Sequence, residues 1–317
     1  MKRYDWLPTE SAPEDYPVFL IRGDLRLADG GSIYIPDQRD VDNGWGEIGS
    51  THIVGDERKA VPVQLSLQWY SYTEDRFYAG QFDLPTDRIA SLFAAGVVDA
   101  RRGEHITFDR IIVGMAPGGG VSVWMGALAF VVEVAAFQAQ PIDLPWTAVL
   151  DNEEISREEY RQYVLKQSLG EDGLARLRHE GVPADWWQRM RRPYRWEPIV
   201  TGAGEPTQLW IRTYNGEQEP FLIEGAAPPR SARAVPRHVR LEWTGASGKP
   251  YSAEVDMDEH EVFDAFARLG NDGDGEPMTL EFVLGASPAS LQVKLKNSQA
   301  TYRFDGAAIK VYRRRVK

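Results

Sequence analysis

The chain has no cysteine. That excludes disulfide staples, thiol nucleophiles and cysteine metal ligands together. It has no run of about 18 apolar residues, so no segment reads as a membrane-spanning helix. Histidine is sparse: His52, His105, His179, His238 and His260 show neither His-Glu-x-x-His nor His-x-His spacing, which argues against a zinc site. No Gly-x-Ser-x-Gly nucleophile elbow is present. Residues 1–17, MKRYDWLPTESAPEDYP, hold no apolar signal core and no cysteine for lipid attachment, so the expected location is the cytoplasm. Basic residues are outnumbered, 36 Lys and Arg against 47 Asp and Glu, a net charge of −11. The imbalance sits mostly in residues 1–150, with 21 acids against 12 bases. Such a surface repels nucleic acid and anionic lipid and steers a basic protein partner; ordinary solubility charge accounts for it equally well.

What is present is apolar and aromatic enough for packed cores: 43% hydrophobic residues, with 10 Trp, 13 Tyr and 12 Phe. A length of 317 residues suggests two domains. The most ordered pattern runs from Ala60 to Gly126. Val63, Leu65, Leu67 and Trp69 alternate with Gln64, Ser66, Gln68 and Tyr70, the period of a half-buried antiparallel strand. Phe77 to Phe82 reads as its hairpin partner across the polar turn Thr73–Arg76. Ile89, Leu92, Phe93 and Val97 then recur at helical spacing, with Gly96 as a stop. Two further strands, Arg110–Met115 and Val121–Met125, flank Ala116-Pro117-Gly118-Gly119-Gly120.

About 174 residues later a diverged copy follows. Ala60-Val61-Pro62 matches Ala234-Val235-Pro236, and Gln68-Trp69 matches Glu242-Trp243. Tyr78 matches Tyr251 and Phe93 matches Phe266. Gly114, Pro117 and Val123 match Gly285, Pro288 and Val293, and Tyr4-Asp5-Trp6 matches Tyr194-Arg195-Trp196. Pro17–Gly23 is set against Pro220–Gly225. The period is too long for a solenoid and reads as a duplicated domain. The expected architecture is α+β: two related antiparallel-sheet domains, 1–150 and 193–317, each with a packed amphipathic helix, joined by a helical connector over 151–192. Within the connector Asp151 is the expected helix cap, and Tyr160, Val164 and Leu165 form its apolar stripe.

Nothing in the motifs marks catalysis. The glycine run at 118–120 precedes a strand and lacks lysine, so it reads as a tight connection and not as a phosphate loop. Asn271–Glu276 resembles the start of a calcium loop, but the positions that need Gly and Glu hold Pro277 and Val283. Asp256, Asp258, Glu259, His260 and Glu261 cluster at a predicted helix start, where acids are stabilised without a catalytic role. No cofactor and no metal are expected. The candidate contact residues are Asp37, Asp40, Asp42, Trp45, Glu47, Asp56 and Glu57 of the long polar loop, with Glu74 and Asp75 of the hairpin turn. An acidic loop with an aromatic residue suits protein binding; a solvated loop with Trp45 tucked onto its own domain is the other reading.

Four stretches are distinctive: Leu67–Tyr78 (LQWYSYTEDRFY), Phe82-Asp83-Leu84-Pro85, Ile111–Val121 (IIVGMAPGGGV) and Val123-Trp124. Through them residues 4–140 resemble a family of uncharacterised bacterial domains whose members are often read as lipoproteins or as immunity proteins encoded beside type VI secretion effectors. The resemblance carries no catalytic residues, and the second copy departs too far for any transfer. It implies toxin neutralisation through protein contact, without nucleic acid or membrane as partner. The lipoprotein signal of many members is missing here. A cytoplasmic guard suits a cytosolic nuclease toxin, whose basic groove an acidic surface can cover. An effector-loading adaptor or chaperone, immunity to a phospholipase toxin, and a hydrolase with an unmarked site between the domains are the alternatives.

Overall fold

A computed structural model describes residues 2–99, 103–222, 231–270, 275–287 and 290–314. The fold is α+β. Its contacts divide it into two compact units, residues 1–98 with 105–189, and 99–104 with 190–317. In the first half of the chain the strands are β1 (Tyr4–Asp5), β2 (Leu7–Ser11), β3 (Val18–Leu27), β4 (Ser32–Tyr34), β5 (Arg39–Val41), β6 (Arg58–Lys59), β7 (Pro62–Ser71) and β8 (Arg76–Asp83). Helix α1 (Thr86–Ala95) precedes β9 (Val97–Asp99), β10 (Glu104–Ile106), β11 (Arg110–Ala116), β12 (Gly120–Ala127), β13 (Phe130–Gln138) and β14 (Gln140–Ile142). Helices α2 (Arg157–Glu180) and α3 (Trp186–Arg191) follow.

Two sheets of the first unit, β2-β11-β12-β13 and β14-β8-β7-β3-β4, face each other across one core. Alternation sets this up: Leu65, Leu67 and Trp69 of β7 point in with Leu20 and Leu25 of β3, and meet Ile111, Val113, Val121 and Val123 from the other sheet. Helix α1 closes the core with Ile89 and Phe93, the latter stacked on Tyr4 with ring centroids 4.8 Å apart. One pair departs from the expected antiparallel pattern: β2 and β11 run parallel, Pro8 opposite Ile111.

The helical stretch expected as a connector packs on the first unit. Val164, Leu165 and Leu174 of α2 cover Phe19, Ile21, Tyr70, Tyr72 and Phe77 on the outer face of the second sheet. Asp151 does not cap this helix. Ser156 does, accepting from the Glu159 amide while the Glu159 carboxylate accepts from the Ser156 amide at 2.9 Å. This Ser-x-x-Glu capping box was present in the sequence and outranks a lone aspartate, because it satisfies two free amides at once. Gly170, with φ +66°, kinks the helix into two runs.

The second unit contains β15 (Tyr194–Gly202), β16 (Gly204–Thr213), β17 (Gln218–Leu222), β18 (Ser231–Arg233), β19 (Pro236–Gly245) and β20 (Pro250–Asp256). Helix α4 (Glu259–Gly270), β21 (Met278–Leu284), β22 (Leu291–Lys296), β23 (Thr301–Arg303) and β24 (Ala308–Arg313) complete it. Its plan repeats that of the first. Strands β17-β16-β19-β20-β24 answer β4-β3-β7-β8-β14, and β15-β21-β22-β23 answer β2-β11-β12-β13. The parallel pair recurs as β15 with β21.

The match extends to irregularities that no hydrophobic pattern requires. The register of β3 on β7 shifts between Leu20 and Arg22 and again between Arg26 and Leu27. That of β16 on β19 shifts between Pro206 and Gln208 and between Arg212 and Thr213, the same places. The following turns share a left-handed glycine, Gly30 at φ +87° and Gly216 at φ +86°. The Ala28 amide donates to Val61 O and the Tyr214 amide to Val235 O, both at 2.9 Å. Trp6 and Trp196 lie against Phe93 and Phe266.

These registers correct two of the sequence matches. The counterpart of β3 is β16, so Pro17–Gly23 does not answer Pro220–Gly225. A bulge in each strand hid the repeat from simple alternation. The parallel pairs put Ile111 with Leu280, hence Gly114 with Val283 and not with Gly285. Pro288, residues 223–230, most of the calcium-like turn and residues 315–317 lie outside the described residues.

Candidate functional site

The nine expected contact residues fall at separate places in the first unit, with Trp45 packed against β11 and β12. Trp45 is 2% exposed. Its ring stands edge-on to Trp124 at 4.7 Å and to Trp186 at 5.8 Å. Gly114 makes this possible: a Cβ there would sit 2.5 Å from Trp124 and 2.7 Å from Trp45. Trp45 is therefore a core residue and not an interface anchor.

The acids of the same loop bond to the fold, although Asp40 and Asp42 stay exposed. Asp40, on β5, accepts the Tyr72 hydroxyl at 2.6 Å. Desolvation raises its pKa above the usual carboxylate range, and the Tyr72 hydrogen bond opposes that shift. Asp37 is half-buried and shifted the same way by desolvation. Asp42 accepts from Ser168 of α2 at 2.7 Å, and the half-buried Glu47 accepts from the Asn43 amide through its carbonyl at 3.1 Å.

In the hairpin turn, Glu74 accepts from the Tyr78 hydroxyl and the Gly118 amide, each at 3.0 Å. Asp75 takes the Tyr70 hydroxyl and the Arg157 guanidinium, the latter at 2.7 Å. Asp56 pairs with Arg3 at 3.0 Å and Glu57 is exposed. Arg3 also holds Asp29, beyond the far end of β3, whereas Asp40 lies opposite Phe19 near its start. Ten strand residues separate these ends by about 30 Å, so Asp56 and Glu57 do not share a patch with Asp40 and Asp75.

The outer face of the β4-β3-β7-β8 sheet offers a different surface. At one end it is apolar and covered by α2. At the other it forms an open groove of about 600 Å³. Its floor is set by register: Tyr34, Asp24, Ser66 and Gln81 lie in one row, Ser32, Arg26, Gln64 and Asp83 in the next, and Arg22, Gln68 and Ala79 beside them. Arg22 pairs with Asp24 at 2.6 Å, and Gln64 donates to Asp83 at 3.1 Å. Arg26 makes no ion pair among the described residues. The sequence carried a signal for this face in the polar half of the β7 alternation, Gln64, Ser66 and Gln68; half of every amphipathic strand looks the same.

A family model described as a protein of unknown function (DUF2931) matches residues 1–185. The chain belongs to the DUF2931 family. The match ends within the segment that the fold assigns to the first unit, so helix α2 is part of the DUF2931 domain. The second unit lies beyond the match and shares the domain's strand plan by structure alone. No curated protein and no solved structure matches the chain.

Among the described residues no group of three or more His, Asp or Glu side chains is placed to hold a metal ion. In the second unit His238 Nδ1 lies 2.6 Å from Asp256, the geometry of an oriented imidazole. Its counterpart pair is Gln64 and Asp83, which make the equivalent cross-strand bond. The pairing therefore belongs to the sheet plan of both units, and the Trp210 ring lies edge-on to His238 at 5.5 Å.

Proposed function

We propose that this DUF2931 protein is a non-catalytic immunity protein that binds and neutralises a cognate type VI secretion toxin through protein contact. The observation that carries the reading is the division of one sheet face. Its apolar half is sealed by α2, while its polar half stays open as a groove of about 600 Å³ with neutral and charged hydrogen-bonding groups. Polar concave surfaces of this kind suit a partner whose own polar groups replace the lost water. The excess of acid in residues 1–150 favours a basic partner, such as a cytosolic nuclease, and speeds its association. The contact surface proposed is the groove, because the loop acids that first suggested one are mostly bonded within the fold.

The test is co-expression with the product of the neighbouring toxin gene in a sensitive host. Survival is scored with the intact chain and with Ser66→Arg plus Gln81→Arg, which block the groove from a solvated face. Rescue by the intact chain and its loss in the variant, at unchanged melting temperature, support the reading. Toxin binding without rescue by the intact chain overturns immunity in favour of an effector-loading adaptor.

A further inference from the structure

We propose that Ile53, with Tyr34 and His52 beside it, is the apolar anchor by which this chain grips its partner, and that the partner is a basic protein offering an apolar pocket. The inference rests on the immunity reading and names the contact within it. Ile53 is 92% exposed, the most exposed large hydrophobic side chain among the described residues. A single exposed aliphatic residue on a loose loop would mean little. This loop is held at four points. The Ser50 amide donates to the buried Glu10 carboxylate at 2.8 Å. The Val54 side chain enters the core at 6% exposure. Asp56 pairs with Arg3 at 3.0 Å, and Arg58 and Lys59 form β6 against β1. Between these anchors the chain turns Val54 inward and Ile53 outward.

The neighbours continue the surface toward the groove. The His52 ring stands edge-on to Tyr34 at 6.1 Å, and Tyr34, 45% exposed, shares its row with Asp24 on the groove floor. An exposed apolar side chain one residue along the loop from the paired His52 and Tyr34 rings has the composition of an interface hot spot. Exposed charges of both signs stand around this end of the unit, Asp5, Asp29, Asp56 and Glu57 with Lys2, Arg3, Arg26 and Arg58, while Lys59 is buried and its pKa is lowered by desolvation. The partner's charge follows from residues 1–150 as a whole, where acids outnumber bases 21 to 12, an excess that complements a basic surface.

The experiment measures binding of the full chain to the purified toxin encoded beside it, in the wild type, Ile53→Asp, Ile53→Leu and Glu57→Lys, with a melting temperature for each. Expected are a tenfold or greater loss of affinity for Ile53→Asp, near-wild-type affinity for Ile53→Leu, and slower association for Glu57→Lys, all at unchanged melting temperature. Wild-type affinity and full host rescue by Ile53→Asp would overturn the anchor and leave the immunity reading standing. Failure of the wild-type chain to bind that toxin at all would remove the proposed occupant and the immunity reading together.

Discussion

Tyr72 donates its hydroxyl to Asp40 at 2.6 Å, joining the end of β7 to the acidic loop. Tyr72 is fully buried, and so is Tyr70, whose hydroxyl donates to Asp75. Desolvation first, and the facing carboxylate second, push both phenols well above the usual tyrosine range; the same causes raise Tyr78, beside Glu74, to about 12. A raised folded pKa has a definite consequence. Below about pH 10 these groups are neutral in both states and their contribution is intact. Above it the unfolded chain ionises while the folded chain resists, so stability falls as pH rises. We expect a flat unfolding free energy from pH 7 to about pH 9 and a steepening loss beyond. Tyr72→Phe should reduce that slope, at a neutral-pH cost of about 1–2 kcal/mol for the lost hydrogen bond to a charged acceptor. Denaturant melts across pH, with phenolate absorbance, measure both.

Trp45 distinguishes a core residue from an interface residue by experiment. Its truncation to alanine empties the space between Trp124 and Trp186. The expected loss is about 3–5 kcal/mol of stability, read from urea midpoints. Toxin affinity of the fraction that stays folded should be unchanged. An alanine variant with wild-type stability and impaired binding would show the opposite role.

Much of the fold was legible because amphipathic strands of this length announce themselves. The β7 alternation placed Leu65, Leu67 and Trp69 inside, and all three are buried. The weak matches Trp69 with Trp243 and Phe93 with Phe266 fall at equivalent positions, because each pair sits at a fixed place in a shared strand plan. The bulges at Ile21 and Thr207 hid the partner strands, since one extra residue breaks the period on which the reading depends. The parallel pair was not legible either, because it joins strands about 100 residues apart in the first unit. The bonds made by the loop acids were not legible, for a chemical reason. An aspartate reads as solvated charge in sequence, and only the fold reveals that Asp40 and Asp75 each face a buried tyrosine.

The Asp75–Arg157 contact ties α2 to the hairpin turn. Arg157 also lies over the Tyr70, Phe77 and Trp146 rings, 5.2 to 5.7 Å from their centroids. Both charged side chains are more than a third exposed, so solvent screening reduces the value of the pair. We expect Asp75→Ala to lower stability by about 1–2 kcal/mol, well short of a buried pair. Asp75 also sits at φ +52°, which asparagine tolerates better than alanine. Thermal melts should therefore rank wild type above Asp75→Asn and Asp75→Ala last, with toxin binding equal in all three.

Gly120 carries the sharpest test of the glycine run. Its φ of −65° suits any residue. The constraint is space: a Cβ at Gly120 would lie 2.5 Å from the Trp187 indole. That indole is 8% exposed and donates to Ser122 Oγ at 3.2 Å. Gly120→Ala must push the ring off its strand and stretch this bond, and we expect a loss of about 1–3 kcal/mol from overpacking. Adding Trp187→Leu should remove most of the cost of the added methyl, a coupling that a double-mutant cycle reads directly. Gly118→Ala meets only an ordinary contact, the Ala184 carbonyl oxygen at 3.8 Å, and suffers mainly from its φ of +71°, at about 1 kcal/mol. A phosphate-cradling loop would behave in reverse, with stability unmoved and nucleotide binding lost. Alanine variants that leave the melting temperature untouched but abolish binding of a nucleoside triphosphate would overturn the packing role of this turn.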